Sequence, residues 1–202
     1  MQKLLLGTRN RGKQDELITL LSNLRLEILT PQQMGISIEV EETGTTYSEN
    51  ARLKALAYAS HSGRWSLSDD SGLEVEALDG APGLRSARLG GEGKSDTDRR
   101  RLLIEMLADH SRPWEARFRA TVSLAGPTGE FEVAVGQCTG EIITEERGTE
   151  GFGYDPIFLI HELGKTMAEL GMEEKNQFSH RARALKALLP ALETRLGLVR
   201  GN

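Results

Sequence analysis

Hydrophobic positions in this chain come in short bursts that switch between two spacings. Leu4-Leu5-Leu6 is an unbroken apolar run closed by Gly7, the pattern of a buried strand. Leu17, Leu20, Leu21 and Leu24 then follow i, i+3, i+4, i+7 spacing, one face of a helix starting near Gly12. Leu26 to Leu29 predicts the next strand, and Ser48 is suited to cap a second helix with Leu53, Leu56 and Ala57 inward. Arg64 to Ser68 reads as a strand leading into an acidic turn, Asp69-Asp70-Ser71-Gly72. The segment from Leu78 to Gly93 is rich in Gly and Pro and predicts a loop. Asp96 to Leu107 carries Leu102, Leu103, Met106 and Leu107 at helical spacing.

From Glu115 to Leu124 the spacing changes to strict alternation, with Ala116, Phe118, Ala120, Val122 and Leu124 on one side. Phe131 to Cys138 behaves alike across Gly126-Pro127-Thr128-Gly129, so the two form a hairpin. The last helix turns Leu185, Leu188, Leu189, Leu192 and Leu196 inward. Interleaved strands and helices predict an α/β protein, and the hairpin makes its sheet mixed. With no repeat, low-complexity tract or Pro/Ser-rich linker, residues 1–202 read as a single domain.

Composition narrows the function classes. Thirty Asp plus Glu against 25 Lys plus Arg give a net charge of −5, which argues against a general nucleic-acid binder. Any anionic ligand is then met by local positive charge or by a metal. The single cysteine, Cys138, excludes a disulfide framework and a Cys-rich zinc site. No apolar stretch approaches the roughly 20 residues of a membrane span, and the start lacks a signal-peptide pattern. A cytoplasmic setting is the expectation.

Five segments carry chemistry. Thr8-Arg9-Asn10-Arg11-Gly12-Lys13 lies between a strand and a helix, where free N–H groups and the helix dipole favour an anion. Alone it is equally a basic surface turn, and it lacks Walker A spacing. Glu41-Glu42-Thr43-Gly44 offers hard carboxylate oxygens of the kind Mg²⁺ takes, or a solvated surface pair. Glu49, Asn50 and Lys54 share the helix that follows, so Lys54 is able to aim an ammonium into a neighbouring cleft. Ser68-Asp69-Asp70-Ser71-Gly72 puts two acids at the end of an apolar strand, where α/β proteins bind ligands. Gly151-Phe152-Gly153-Tyr154-Asp155-Pro156 spends two of few aromatics beside glycines, suited to stacking on a base. Lys175 with Ser179-His180-Arg181 supplies donors for the acceptor edge of a purine.

Together with Gly80-Ala81-Pro82-Gly83 and Ser86-Ala87-Arg88, these motifs in this order resemble the inosine/xanthosine triphosphate pyrophosphatase family, from about Lys3 to Leu192. The resemblance implies a homodimer of elongated α/β subunits, each a mixed sheet flanked by helices, with two lobes and a central active-site cleft. It implies Mg²⁺-dependent hydrolysis of ITP, dITP and XTP to the monophosphate and pyrophosphate. Thr8, Arg9, Asn10, Arg11, Gly12 and Lys13 would hold the triphosphate, with Lys54 assisting. Glu41 and Asp70 match the metal-associated carboxylates, Asp70 also the proton acceptor, and Ser71 a substrate contact. Phe152, Gly153, Tyr154, Asp155, Lys175, His180 and Arg181 match the nucleoside-binding positions. Arg9 departs from the family pattern, which often has a small residue there. The competing expectations are a Maf-like pyrophosphatase acting on other nucleotides and a nucleotide-binding regulatory module that does not hydrolyse.

Overall fold

A computed structural model describes residues 1–198. Seven strands form one sheet in the order β2-β1-β3-β4-β5-β6-β7. They are β1 (Gln2–Leu6), β2 (Leu26–Leu29), β3 (Ser66–Val75), β4 (Trp114–Ala125), β5 (Phe131–Ile142), β6 (Phe158–Ile160) and β7 (Lys165–Thr166). The helices are α1 (Arg11–Leu21), α2 (Tyr47–Ser62), α3 (Asp96–Leu107), α4 (Met172–Phe178) and α5 (His180–Leu196). β1 runs parallel to both β2 and β3, whereas β5, β6 and β7 pair antiparallel, so the sheet is mixed. Among the described residues no helix is long and apolar enough to cross a membrane.

Two compact units make up the chain. The first comprises Met1–Asp70, Ala120–Gly136 and the segment from Arg181 onward; the second comprises Ser71–Arg119 and Gln137–His180. Each has its own core. In the first unit Leu4 and Leu6 pack with Leu17 and Leu21 of α1 and Leu185, Leu188, Leu192 and Leu196 of α5. Leu5 points the other way, onto Ile36 and Tyr58. Burial on both faces is why β1 is a plain leucine run and not an alternating one. The core of the second unit gathers Leu73, Val75, Leu103, Leu107, Trp114, Phe118, Phe158 and Met167.

Several sequence expectations shift. α2 is capped by Thr46, not Ser48: Thr46 Oγ1 accepts from the Glu49 N–H while Glu49 accepts in return from the Thr46 N–H, a capping box. Ser48 lies inside the helix. The acidic motif is no turn, because β3 continues through it to Val75. Alternation in β4 holds only in its first half; from Ala120 every residue is buried, Thr121 and Ser123 included. Ala55 and Ala59 of α2 pack with Ala125 and cover the face on which those polar positions fall. The segment 78–93 contains a 3-10 helix, Gly83–Arg88, and Met106 is 38% exposed while Leu103 and Leu107 are buried.

Candidate active site

In the first unit the site grows from the ends of β1 and β3. Leu5 and Leu6 pair with Ser66 and Leu67, so the next residues of β3 run beside the chain leaving β1. The Gly7 N–H donates to the Leu67 carbonyl at 2.7 Å, and Ser68 Oγ donates to the Gly7 carbonyl at 3.0 Å. A Cβ on Gly7 would sit 2.1 Å from Ser68 Oγ, so only glycine permits this approach. The chain then turns into α1 with Asn10 as N-cap, its Oδ1 accepting from the Lys13 N–H at 3.0 Å. Thr8 is buried, its Oγ1 accepting from the Asn10 N–H, whereas Arg9 and Arg11 are exposed. Arg9 makes a surface pair with Glu39 at 3.4 Å.

Asp69 and Asp70 stand on adjacent positions of an extended strand, so their side chains leave on opposite faces. Asp69 meets α1 and α5. Its Oδ2 lies 3.2 Å from Lys13 Nζ, 3.0 Å from Arg181 Nε and 2.9 Å from Arg181 Nη2. Arg181 also pairs with Glu16 of α1, and Asp69, Arg181 and Glu16 are all nearly inaccessible. Burial alone would raise the Asp69 carboxyl, but Lys13, Arg181 and Lys54 outweigh it and hold it far below the usual range. The Lys13 ammonium is pulled down, mainly by burial against the opposing pull of Asp69.

Asp70 meets α2 instead. Asn50 Nδ2 donates to its Oδ2 at 3.2 Å, and Lys54 Nζ lies 3.4 Å from its Oδ1. The same ammonium sits 2.7 Å from Glu42 Oε1. Burial pushes the Asp70 carboxyl up; Lys54 and Lys13 oppose this, and Glu42 adds to it. Lys54 is destabilised by burial, yet Asp70, Asp69 and Glu42 together raise it. The two neighbouring carboxyls are therefore shifted in opposite directions.

These oxygens suit a hard cation. Glu42 Oε1 and Asp70 Oδ1 already converge on one positive centre, the Lys54 ammonium. Among the described residues no group of three or more His, Cys, Asp or Glu could hold a metal alone. A hard cation such as Mg²⁺ takes one or two protein carboxylates and completes its shell with phosphate and water. Glu41, the carboxylate expected from sequence, is exposed; its neighbour Glu42 is the one that reaches Asp70's surroundings.

The second unit holds the aromatic motif. Asp155 Oδ2 accepts from Lys175 Nζ at 2.7 Å and from the Phe152 N–H at 3.0 Å, and Lys175 Nζ lies 5.4 Å from the Phe152 ring centroid. Gly151 has φ +79°, and a Cβ there would strike Asp155 Oδ2 at 2.0 Å. Phe152, Asp155 and Lys175 are thus brought together. Tyr154 is not an exposed stacking surface: it is 4% exposed, and its hydroxyl donates to the Ser86 carbonyl at 2.9 Å. The His180 ring stacks on Phe118, centroids 4.8 Å apart and planes 14° from parallel. Ser71 is half-buried at the start of this unit. The Arg181 guanidinium, expected from sequence at a purine edge, faces Asp69 and Glu16. Glu42 and Asn50 lay in segments singled out from sequence but were given no role of their own, and Glu16 was not expected at all. Glu16 had a signal, because it lies i+3 from Lys13 and i−4 from Leu20, on the inward side of α1.

A mixed α/β sheet with a buried acid–lysine cluster beside a strand-to-helix turn defines an anion-handling α/β protein. The profile of the Ham1 family matches residues 4–191, and the chain belongs to that family. A relative from Exiguobacterium sibiricum, named dITP/XTP pyrophosphatase, is 48% identical over 196 residues, covering 96% of this chain and 99% of its own. The structure of a HAM1 protein from Coxiella burnetii superposes with a TM-score of 0.85 at 37% identity, over 96% of this chain and all of that one. The Staphylococcus aureus Ham1 protein gives 0.83 at 38% identity with the same coverage.

Proposed function

We propose that this protein is a nucleoside triphosphate pyrophosphatase that hydrolyses ITP, dITP and XTP to the monophosphate and pyrophosphate with Mg²⁺. The observation that carries the reading is Asp70, a carboxyl raised by burial and held by Asn50 and Lys54 on a strand whose neighbouring position, Asp69, stays ionised. A raised carboxyl is suited to accept a proton from water, because its pKa lies nearer the working pH. The family relationship to proteins named dITP/XTP pyrophosphatase supplies the substrate class.

In this reading Thr8 to Lys13, with Lys54, take the triphosphate. Lys13 and Lys54 lie in protected surroundings, where an ammonium neutralises phosphate charge better than in water. Bound Mg²⁺, held by Asp70 with Glu42 or Glu41, would neutralise the charge redistributed as the α–β anhydride breaks. Ser71 takes a substrate contact. Phe152, Gly153 and Asp155 with Lys175 receive the base. Arg181 orders Asp69, and the His180–Arg181 segment contributes to base selection through its backbone and not through the guanidinium. The chain works as one domain, since neither unit is a continuous segment. Its composition supports a cytoplasmic protein, and we expect a homodimer.

The test is pyrophosphate release, followed as phosphate after inorganic pyrophosphatase, over ITP, XTP, dITP, ATP, GTP, dTTP and UTP. Release confined to ITP, dITP and XTP supports the reading. Preference for dTTP or UTP replaces it with a Maf-like activity, and binding without release replaces it with a sensor module.

A further inference from the structure

One helix that none of these roles uses braces the aromatic segment of the second unit. The inward face of α3 carries Asp96, Arg100, Leu103 and Leu107 at helical spacing. Leu103 and Leu107 are fully buried in the core, and Arg100 is only 9% exposed. At the start of that face the side chains of Asp96 and Arg100 both reach the backbone of Gly153, while Asp96 Oδ1 also accepts from Arg99 Nη1 at 2.9 Å. Asp96 Oδ2 accepts from the Gly153 N–H at 2.8 Å, and Arg100 Nη1 donates to the Gly153 carbonyl at 2.8 Å. Both polar backbone groups of Gly153 are therefore held by residues one helical turn apart.

Arg100 is itself fixed. Its Nε and Nη2 donate to the two oxygens of Glu146 at 2.8 and 3.0 Å, and Nη2 also reaches Thr97 Oγ1 at 3.0 Å. Gly153 has φ +64°, so its backbone takes the left-handed form that glycine allows. Immediately before it stands Phe152, whose own N–H is held by Asp155. The peptide groups on both sides of the Phe152 side chain are thus tethered, one through Asp155, the other through α3. Left untethered, a segment with glycines at 151 and 153 would have to be ordered on binding, which costs affinity.

We propose that Asp96 and Arg100 are positioning residues for the nucleobase: by clamping Gly153 they fix the ring of Phe152 in the orientation that receives the base. The proposal rests on the reading that Phe152 stacks on the base. It assigns α3 to nucleoside affinity and not to the hydrolytic step.

The experiment measures KM and kcat for ITP, inhibition by inorganic tripolyphosphate and melting temperature. The proteins are the wild type, Arg100→Met, Asp96→Ala, Phe152→Ala and Arg100→Met with Phe152→Ala. Each α3 variant is expected to raise KM for ITP about tenfold, with kcat within about twofold, as for a displaced binding group. Inhibition by tripolyphosphate, which has no base, stays unchanged. In the Phe152→Ala background Arg100→Met adds nothing further to KM. Unchanged KM in both α3 variants overturns the proposal. So does a parallel loss of kcat and tripolyphosphate inhibition, or multiplication of the two effects in the double variant. Should Arg100→Met fail to fold, Asp96→Ala, whose side chain is 44% exposed, decides between these outcomes. If Phe152→Ala itself leaves KM for ITP unchanged, the stacking reading fails and the proposal with it; an effect at Phe152 alone overturns only the proposal.

Discussion

Asn50 Nδ2 donates to Asp70 Oδ2 at 3.2 Å, while Asn50 Oδ1 accepts from the Gly44 N–H at 2.8 Å. One amide thereby ties the loop carrying Glu42 to the acid of β3. It also fixes which oxygen of Asp70 remains to face Lys54. Asp70→Asn keeps the size of the side chain but cannot accept a proton. Turnover of ITP is expected to fall about a thousandfold, with an unchanged circular dichroism spectrum. Near wild-type turnover at saturating Mg²⁺ would remove Asp70 from the chemistry.

The two acids of the Glu41-Glu42 pair are separable by magnesium titration. Glu42 lies 2.7 Å from the ammonium that also faces Asp70, and Glu41 is exposed. Glu42→Gln should raise the Mg²⁺ concentration for half-maximal activity several-fold, on the order of the tenfold typical when a metal site loses a supporting group. Glu41→Gln should leave it nearly unchanged. The reverse ranking would return the role to Glu41.

The titration of Asp70 has a definite sign. Its folded pKa is raised, so this carboxyl favours folding below the ordinary carboxylate range, and that contribution is lost as pH rises towards the raised value. Glu42 contributes to the rise and Lys54 opposes it. In metal-free protein, Glu42→Gln should move the Asp70 carboxyl ¹³C titration to lower pH, and Lys54→Met should move it higher. Shifts in the opposite directions would contradict the charge arrangement.

Arg181→Ala leaves the carboxylates of Asp69 and Glu16 buried without their guanidinium. Breaking such a pair from one side costs about 3–5 kcal/mol, which chemical denaturation will read directly. The ITP/ATP ratio of kcat/KM should change little in the protein that remains folded. A stable variant with a collapsed ratio would restore Arg181 to the base.

Tyr154→Phe removes only the hydroxyl that donates to the Ser86 carbonyl. A loss of about 1 kcal/mol in stability is expected, with KM for ITP unchanged. A marked rise in KM without loss of stability would assign Tyr154 to the ligand.

How legible all this was from sequence depended on the range of the interaction. The leucine spacing of α1 and α5 and the run in β1 follow from local periodicity, although α1 ends at Leu21 and leaves Leu24, read as part of its face, beyond the helix. The cap of α2 was misplaced by two residues because Ser48 and Thr46 are both good caps, and only the reciprocal bond to Glu49 selects Thr46. The acidic motif read as a turn because Asp, Ser and Gly favour turns; pairing within the sheet overrides that preference and holds the segment extended. Which of two adjacent glutamates reaches Lys54, and whether Arg181 meets a base or Asp69, depend on residues 12 to 165 positions apart. No local pattern encodes those choices.

The partnership of Arg181 with Asp69 and Glu16 spans 112 and 165 positions of chain. On the ribosome, β3 and α1 therefore emerge long before the guanidinium that pairs with their acids. The leucines of α5 that complete the first core lie beyond Arg181 and emerge later still. Local helices and the Leu4–Leu6 strand are free to form early, but the acid–lysine cluster reaches its final charge balance only once Arg181 has emerged. A nascent chain stalled before Arg181 would hold two acids facing an unfinished core, and would remain a substrate for chaperones and proteases.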